Sequence, residues 1–302
     1  MGRQAERKAD MELQLRRGAL TAAAETLGGE LVSLRDGNGQ EYIWGGDPAF
    51  WTGRSPVLFP IVGGLKGGKV SFGGREYAMG RHGFARRSEF TLADRGEDFV
   101  VFQLRESPET LAQYPFPFLL QVRHQLLDEG FETTFTVENP GDAPLPFCVG
   151  AHTAFRCPLS AEERFEDYRL VFDQPEALDS HLLTPEGVLQ REKTTRFIDG
   201  GTTIPLDYGV FRQVDTMIFD GLRSKTVRLI GEKSGRGVEM DFGGFPMLAF
   251  WTKPGASFIC LEPWQGCAAF DDESGEFTDK PHCVTLAPGE RKRLSFQVRL
   301  LK

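Results

Sequence analysis

Two segments of the chain alternate between an apolar and a polar face residue by residue, with Thr133 the one polar residue on an apolar face. In FETTFTVEN (131–139), Phe131, Thr133, Phe135 and Val137 share one face, with Glu132, Thr134, Thr136 and Glu138 on the other. In the C-terminal run, Leu294, Phe296, Val298 and Leu300 oppose Arg293, Ser295, Gln297 and Arg299. A period of two residues is the mark of a strand with one buried face; a helix would smear the same pattern around its surface. Shorter strand signals recur around turn residues. LVSLRDGNGQEYIW turns at Asp36-Gly37-Asn38-Gly39, KVSFGGREYAM at Gly73-Gly74 and TVRLIGEKSGRGVEMDF at Ser234-Gly235, while TLADRGEDFVVFQL reads as a further hairpin.

Helical signals are sparse. SPETLAQY (107–114) has a Ser cap, a Pro in the first turn and an acidic start, which predicts one short helix. PLSAEERFEDY suggests another. No amphipathic helix alternates with the strands, so a parallel α/β sheet is disfavoured. The 25 Phe suit strands and a large core, and 35 Gly with 18 Pro supply the turns. The expected fold class is all-β: a large antiparallel sandwich or barrel with few short helices. Residues 1–10 read as a loose charged tail and 11–302 as a single β domain, with no linker or repeat to divide it.

The net charge of −8 argues against nucleic acid or an anionic membrane as a partner. The N-terminus lacks the apolar stretch of a secretory signal, and no run approaches the ~20 apolar residues of a membrane helix. Five cysteines, odd in number and without a C-x-x-C pair, read as reduced thiols. A cytoplasmic location is the expectation. Of the familiar catalytic signatures, only a phosphate-binding loop is approached, in Gly63-Gly64-Leu65-Lys66-Gly67-Gly68-Lys69-Val70. It fails where Val70 replaces the magnesium-binding Ser or Thr, and because a hairpin follows in place of a helix. The G-x-S-x-G elbow, H-E-x-x-H and calcium loops are absent, so no metal site is expected.

Three segments place a titratable group among glycines, aromatics and prolines at a strand end: GRHGFARRSEF (80–90) around His82, VGAHTAFRCPL (149–159) around His152, and FICLEPWQG (258–266) around Glu262. Two histidines and a glutamate can supply an acid, a base and a polar anchor without a metal. Each could equally be structural. By contrast, His124 is in phase with Leu120, Val122 and Leu126 and reads as a core-face histidine.

SPVLFPIVGGLKGGKVSFGGREYAMGRHGFARRSEF (55–90), with GAHTAFRCPL, CLEPWQG and the opening ELVSLRDGNGQEYIWGGDPAFW (30–51), resembles the aldose 1-epimerase (mutarotase) family, in particular its LacX-like branch. The blocks occur in that branch's order and approximate spacing. The resemblance implies a galactose mutarotase-like β-supersandwich and a cofactor-independent isomerase that interconverts the α and β anomers of an aldose or aldose phosphate by ring opening and closure. It also implies roles. Glu262 would take the proton of the anomeric hydroxyl, His152 would protonate the ring oxygen, and His82 would orient the sugar. Asp215 matches the family's additional acidic sugar ligand, although an Asp beside a strand often only caps a turn. Trp264 could stack on a pyranose face or belong to the core.

One position departs from the branch's pattern. Gly64 stands where an arginine that reaches the sugar is usual, and loss of a charge-assisted hydrogen bond typically costs ~1.5–3 kcal/mol. Lys66, Arg54 or Arg86 could supply the missing donor, and Arg86 is taken as a substrate-binding candidate. Gly64 therefore keeps a second reading open, a non-catalytic carbohydrate-binding or sugar-sensing protein on the same fold. A glycoside hydrolase would need two opposed carboxylates, and only Glu262 stands in a site motif. Either a monomer or a homodimer suits a chain of this length.

Overall fold

A computed structural model describes residues 11–302; the tail expected over 1–10 lies outside the described residues. Two antiparallel sheets dominate. The larger has nine strands, running in space from Leu189–Pro205 through Tyr168–Leu183, Thr226–Gly231, Gly237–Asp241, Arg291–Leu301, Gly130–Glu138, Leu119–Leu127 and Phe99–Arg105 to Thr91–Arg95. The two segments with strict alternation are neighbours at its centre. Phe135 pairs with Leu294 and Phe131 with Val298, so their apolar faces form one surface. Both sets are buried, with Thr134 the one polar-face residue of the first segment that is buried as well.

The smaller sheet has six strands. Thr216–Asp220, Met247–Trp251, Phe258–Gln265, Val149–Ala151 and Val57–Leu58 follow one another, and Thr153–Arg156 also pairs with Phe258–Gln265. Apolar residues of both sheets belong to one continuous core, in which Phe172 of the larger sheet meets Phe250 of the smaller edge-on at 6.2 Å. Of the sandwich or barrel that the alternation and turns leave open, the fold is thus the sandwich, the all-β supersandwich that the resemblance implies. Among the described residues the α-helices are short, Pro108–Leu111 and Tyr208–Val214. The first is the predicted one, with Ser107 and Thr110 exchanging capping hydrogen bonds. No described helix is long and apolar enough to cross a membrane. Four of the five cysteines are buried, and all are free thiols.

Two local expectations fail. PLSAEERFEDY forms only a 3-10 turn at Phe165–Asp167. The Glu163 carboxylate there accepts from Lys233 N, Ser234 N and the Tyr168 hydroxyl, which fastens the segment to the neighbouring hairpin. The stretch after Asp36-Gly37-Asn38-Gly39 does not return as a second strand; it makes one bridge back, Arg35 to Glu41, and another away, Ile43 to Phe155. The Glu41 carboxylate accepts from the Leu34 and Ile43 amides, so a side chain takes the place of the ladder. The phosphate-loop look-alike leads into the hairpin Lys69–Phe72/Arg75–Ala78, as its failed match implies.

Candidate active site

Strand register brings the first two functional side chains together. Val149 pairs with Gln265 and Gly150 with Trp264; beyond the break between the two short strands, Thr153 pairs with Leu261. His152 lies in that break, opposite Glu262. On its other side Glu262 pairs with Ala249, whose small side chain leaves room for a buried carboxyl. His152 Nε2 stands 3.3 Å from Glu262 Oε1, without the alignment of a hydrogen bond. Trp51 and Trp251 flank the imidazole at 5.0 and 5.6 Å.

His82 arrives from a different segment. It adopts a left-handed backbone (φ 66°), a strained state for a non-glycine residue that the surroundings must impose. Its amide donates to Gly63 O at 2.8 Å, and Gly63 N donates back to its Nδ1 at 3.1 Å. Accepting at Nδ1 leaves the neutral ring's proton on Nε2. The following residues are pinned as well, because Phe84 and Ala85 both donate to Phe59 O. The His82 ring stands edge-on to that of His152, with centroids 5.6 Å apart. Asp215 follows the unpredicted helix Tyr208–Val214, also at positive φ (62°), and its carboxylate accepts from the Thr216 hydroxyl.

These residues line one pocket of about 220 Å³, together with Trp264, Arg86 and Arg81. A larger groove of about 760 Å³, bordered by Arg87, Glu89, Arg105 and Glu109, holds none of the three motif residues. All six candidates from the sequence therefore converge. Trp264 answers both of its readings: it is buried in the core and lines the pocket, with its indole N–H unpartnered. His124 is the core histidine its phase implies, bonded to Thr133 Oγ1 and Gly29 O.

The electrostatics follow from burial. Desolvation raises the Glu262 pKa well above the usual carboxylate range, Asp215 adds repulsion, and the neighbouring indole N–H only partly offsets them. Burial lowers His152 to about 3, and it lowers His82 well below its ordinary value with help from His152 and the Arg86 and Arg81 charges. Neither Glu262 oxygen nor His152 Nδ1 has a hydrogen-bond partner. Buried polar atoms left unpaired are costly to stability. The pocket is built with free valences. One further set of donors was not legible from spacing: His152, Cys260 and Glu262 bring a ligand atom each within 4.8 Å of one another. Burial and Glu262 hold the Cys260 thiol well above its ordinary pKa, so it is a poor source of the thiolate that metals prefer.

The structure also revises the list of candidate cations. Lys66 reaches away to Asp271 O, and Arg54 is paired with Glu25. Arg86 does line the pocket, and so does Arg81, which sequence reasoning passed over although it adjoins His82.

The chain is thus a large two-sheet sandwich with a buried His–Glu pair, a second histidine and an acidic residue around one small pocket. The match to the family model for aldose 1-epimerase spans residues 11–299, and the chain belongs to that family. It is similar to the plasmid-encoded protein LacX of Lactococcus lactis, 36% identical over 299 residues, covering 96% of this chain and all of the relative; the chromosomal LacX matches equally. Among solved structures it is similar to a galactose mutarotase related enzyme from Lactobacillus acidophilus (TM-score 0.91, 27% identity, 97% of this chain and 98% of that one). A galactose mutarotase-like protein from Lactobacillus casei is comparable (TM-score 0.89, 28% identity, 96% and 100%).

Proposed function

We propose that the protein is an aldose 1-epimerase that interconverts sugar anomers by acid/base chemistry at Glu262 and His152. The observation that carries this reading is the buried pair, 3.3 Å apart, with polar atoms left unpartnered in two residues that line the pocket. Its size suits a monosaccharide, being below the range of pockets for larger ligands.

Ring opening needs one proton removed from the anomeric hydroxyl and one delivered to the ring oxygen. Glu262 takes the first and His152 gives the second; after rotation about the bond to the anomeric carbon, closure reverses both transfers. The pair carries the same number of protons before and after, so no net charge is created in a buried site. Burial favours the pair in its uncharged form, carboxyl and neutral imidazole. Sugar hydroxyls and the pocket arginines would lower the cost of the ionised form that starts the reaction. His82, with its proton on Nε2, is a donor for a sugar oxygen, and Asp215 is an acceptor for a hydroxyl. No step in this scheme calls on a cofactor.

The alternative, a non-catalytic sugar binder, draws its support from Gly64. Arg81 and Arg86 both line the pocket, so the absence of an arginine at 64 does not leave it without guanidinium groups. The test is anomer exchange by NMR with a panel of aldoses, run beside a buffer blank and Glu262→Gln. Acceleration that Glu262→Gln loses supports the enzyme; sugar binding at the blank rate supports the binder.

A further inference from the structure

Cys148 and Cys283 face each other at the end of a short ladder that the proposed chemistry does not use. Leu145–Phe147 pairs antiparallel with Val284–Leu286, in the register Leu145 to Leu286, Pro146 to Thr285 and Phe147 to Val284. Continued by one residue, that register sets Cys148 opposite Cys283. Neither amide is spent on the other cysteine: Cys148 N donates to Pro60 O at 2.8 Å and Cys283 N to Lys280 O at 3.1 Å. A non-hydrogen-bonded antiparallel pair of this kind holds its Cα atoms about 4.5 Å apart, with both side chains on one face. Disulfides span Cα separations of about 4.4–6.8 Å, so joining these thiols asks for side-chain rotation rather than strand movement.

The other three thiols differ. Cys157 and Cys260 are buried, and burial followed by nearby carboxylates raises both well above the ordinary thiol range. Burial pushes Cys267 up to about 12. Cys148 and Cys283 act on each other. Contact with Cys283 raises Cys148, contact with Cys148 lowers Cys283, and the Lys280 ammonium favours the thiolate at both. Their exposure differs too. Cys148 is buried, its sulfur packed so closely on Gly266 that a Cβ there would collide with it, whereas Cys283 is partly exposed. An accessible thiol of lowered pKa opposite a buried one is the arrangement of an attacking and a resolving cysteine.

We infer that Cys148 and Cys283 form a reversible disulfide site whose oxidant is a small-molecule disulfide. The Cys283 thiolate attacks one sulfur of R–S–S–R, which forms a mixed disulfide and releases R–S⁻. Cys148 Sγ then attacks the Cys283 sulfur; the protein disulfide forms and the second R–S⁻ leaves. The protons of the two cysteines end on the two released thiolates, so R–S–S–R is reduced to two R–SH while the protein loses two hydrogens. The bond adjoins the strand that carries Glu262. Cys148 precedes Val149, which pairs with Gln265 at that strand's end, and Gln265 Nε2 donates to His282 O, next to Cys283. Oxidation thus ties together the two segments that hold the strand's end.

The experiment incubates the native full chain with oxidised and reduced glutathione at set ratios, blocks free thiols and maps the peptides by mass spectrometry. Wild type is expected to yield a linked Cys148–Cys283 peptide, lighter by two hydrogens, which excess reduced glutathione returns to thiols. Cys267→Ser should form the same link. Cys148→Ala should stop with one glutathione on Cys283, and Cys283→Ser should leave Cys148 a thiol. The wild-type map decides the inference even where a variant fails to fold. Wild type that stays reduced, that links through Cys267, or that keeps glutathione on Cys283 without closing the bond overturns it. So does a link that forms in urea and not in the native chain.

Discussion

His124 and His152 are both buried, both stripped of solvent and both pushed to low pKa, to about 4 and about 3. They differ in what their nitrogens do. His124 spends both, on Thr133 Oγ1 and Gly29 O at 2.9 Å each, and ties the centre of the larger sheet to the loop at Gly29. His152 leaves Nδ1 without a partner and turns Nε2 toward a carboxyl it does not properly bond. A perturbed pKa therefore does not separate structure from function in this molecule. Unspent hydrogen-bonding capacity facing a cavity does.

The largest test of that contrast is Glu262→Gln. It should lower anomer exchange by about 10²–10⁴-fold, the range for losing a positioned acid/base group. Stability should not fall with it. A carboxyl whose folded pKa is raised contributes stability only at low pH, and the contribution is lost as pH rises through the folded value. At neutral pH the amide should unfold at the same or a higher temperature, which a melting curve checks. His152→Asn should follow with about a 10²–10³-fold loss of rate and little change in the denaturation midpoint.

His124→Leu should do the reverse. Leaving Thr133 and Gly29 O unpaired in the core should cost about 1–3 kcal/mol in urea unfolding, with exchange rates close to wild type wherever the protein is folded. A large loss of activity in this variant would break the comparison.

The pH dependence of stability treats the two residues alike. His82, His124 and His152 all have folded pKa values below the unfolded one. Their contribution is complete above about pH 6.5 and is lost as pH falls toward the folded values. Each should add about 1.4 kcal/mol per pH unit to the slope in the acid range. Replacing either His124 or His152 should remove about that much. Because burial raises Glu262, the Glu262–His152 pair should hold its single proton to higher pH than an exposed carboxyl would, and catalysis should decline on the alkaline side, as Glu262 ionises. An acid-side loss should instead coincide with unfolding. The smallest effect expected is for Trp264→Phe, about two- to tenfold in KM, if its ring meets the sugar.

Much of this was legible in the residues. The alternation of Phe131–Val137 and Leu294–Leu300 gave two strands, whose adjacency only the structure shows, and His124 declared itself by its phase with Leu120 and Val122. The convergence of His82, His152 and Glu262 was legible only through resemblance to a family, since their pairing depends on register between segments some 110 residues apart. Arg81 was missed because its place at the pocket, against Gly187, depends on a hairpin that periodicity did not reveal. Residues 168–205 carry bulges at several points of their pairing, which blur any period of two. Nor does composition announce the helix Tyr208–Val214, whose end aims Asp215.

The turn at 184–188 closes the tip of the hairpin Tyr168–Leu183/Leu189–Pro205 and brings Gly187 to the pocket. It belongs to a hairpin at the outer edge of the larger sheet, whereas Glu262 is clamped between two neighbours inside the smaller one. Loop insertions and exchanges are tolerated at such tips far better than in paired strands. Under the proposed reading, residues of a surface turn that lines the pocket can change without disturbing the strands that hold the proton-transfer pair. Under that reading, the chemistry and the outer wall of the pocket are mounted on separate parts of the chain, free to evolve at different speeds.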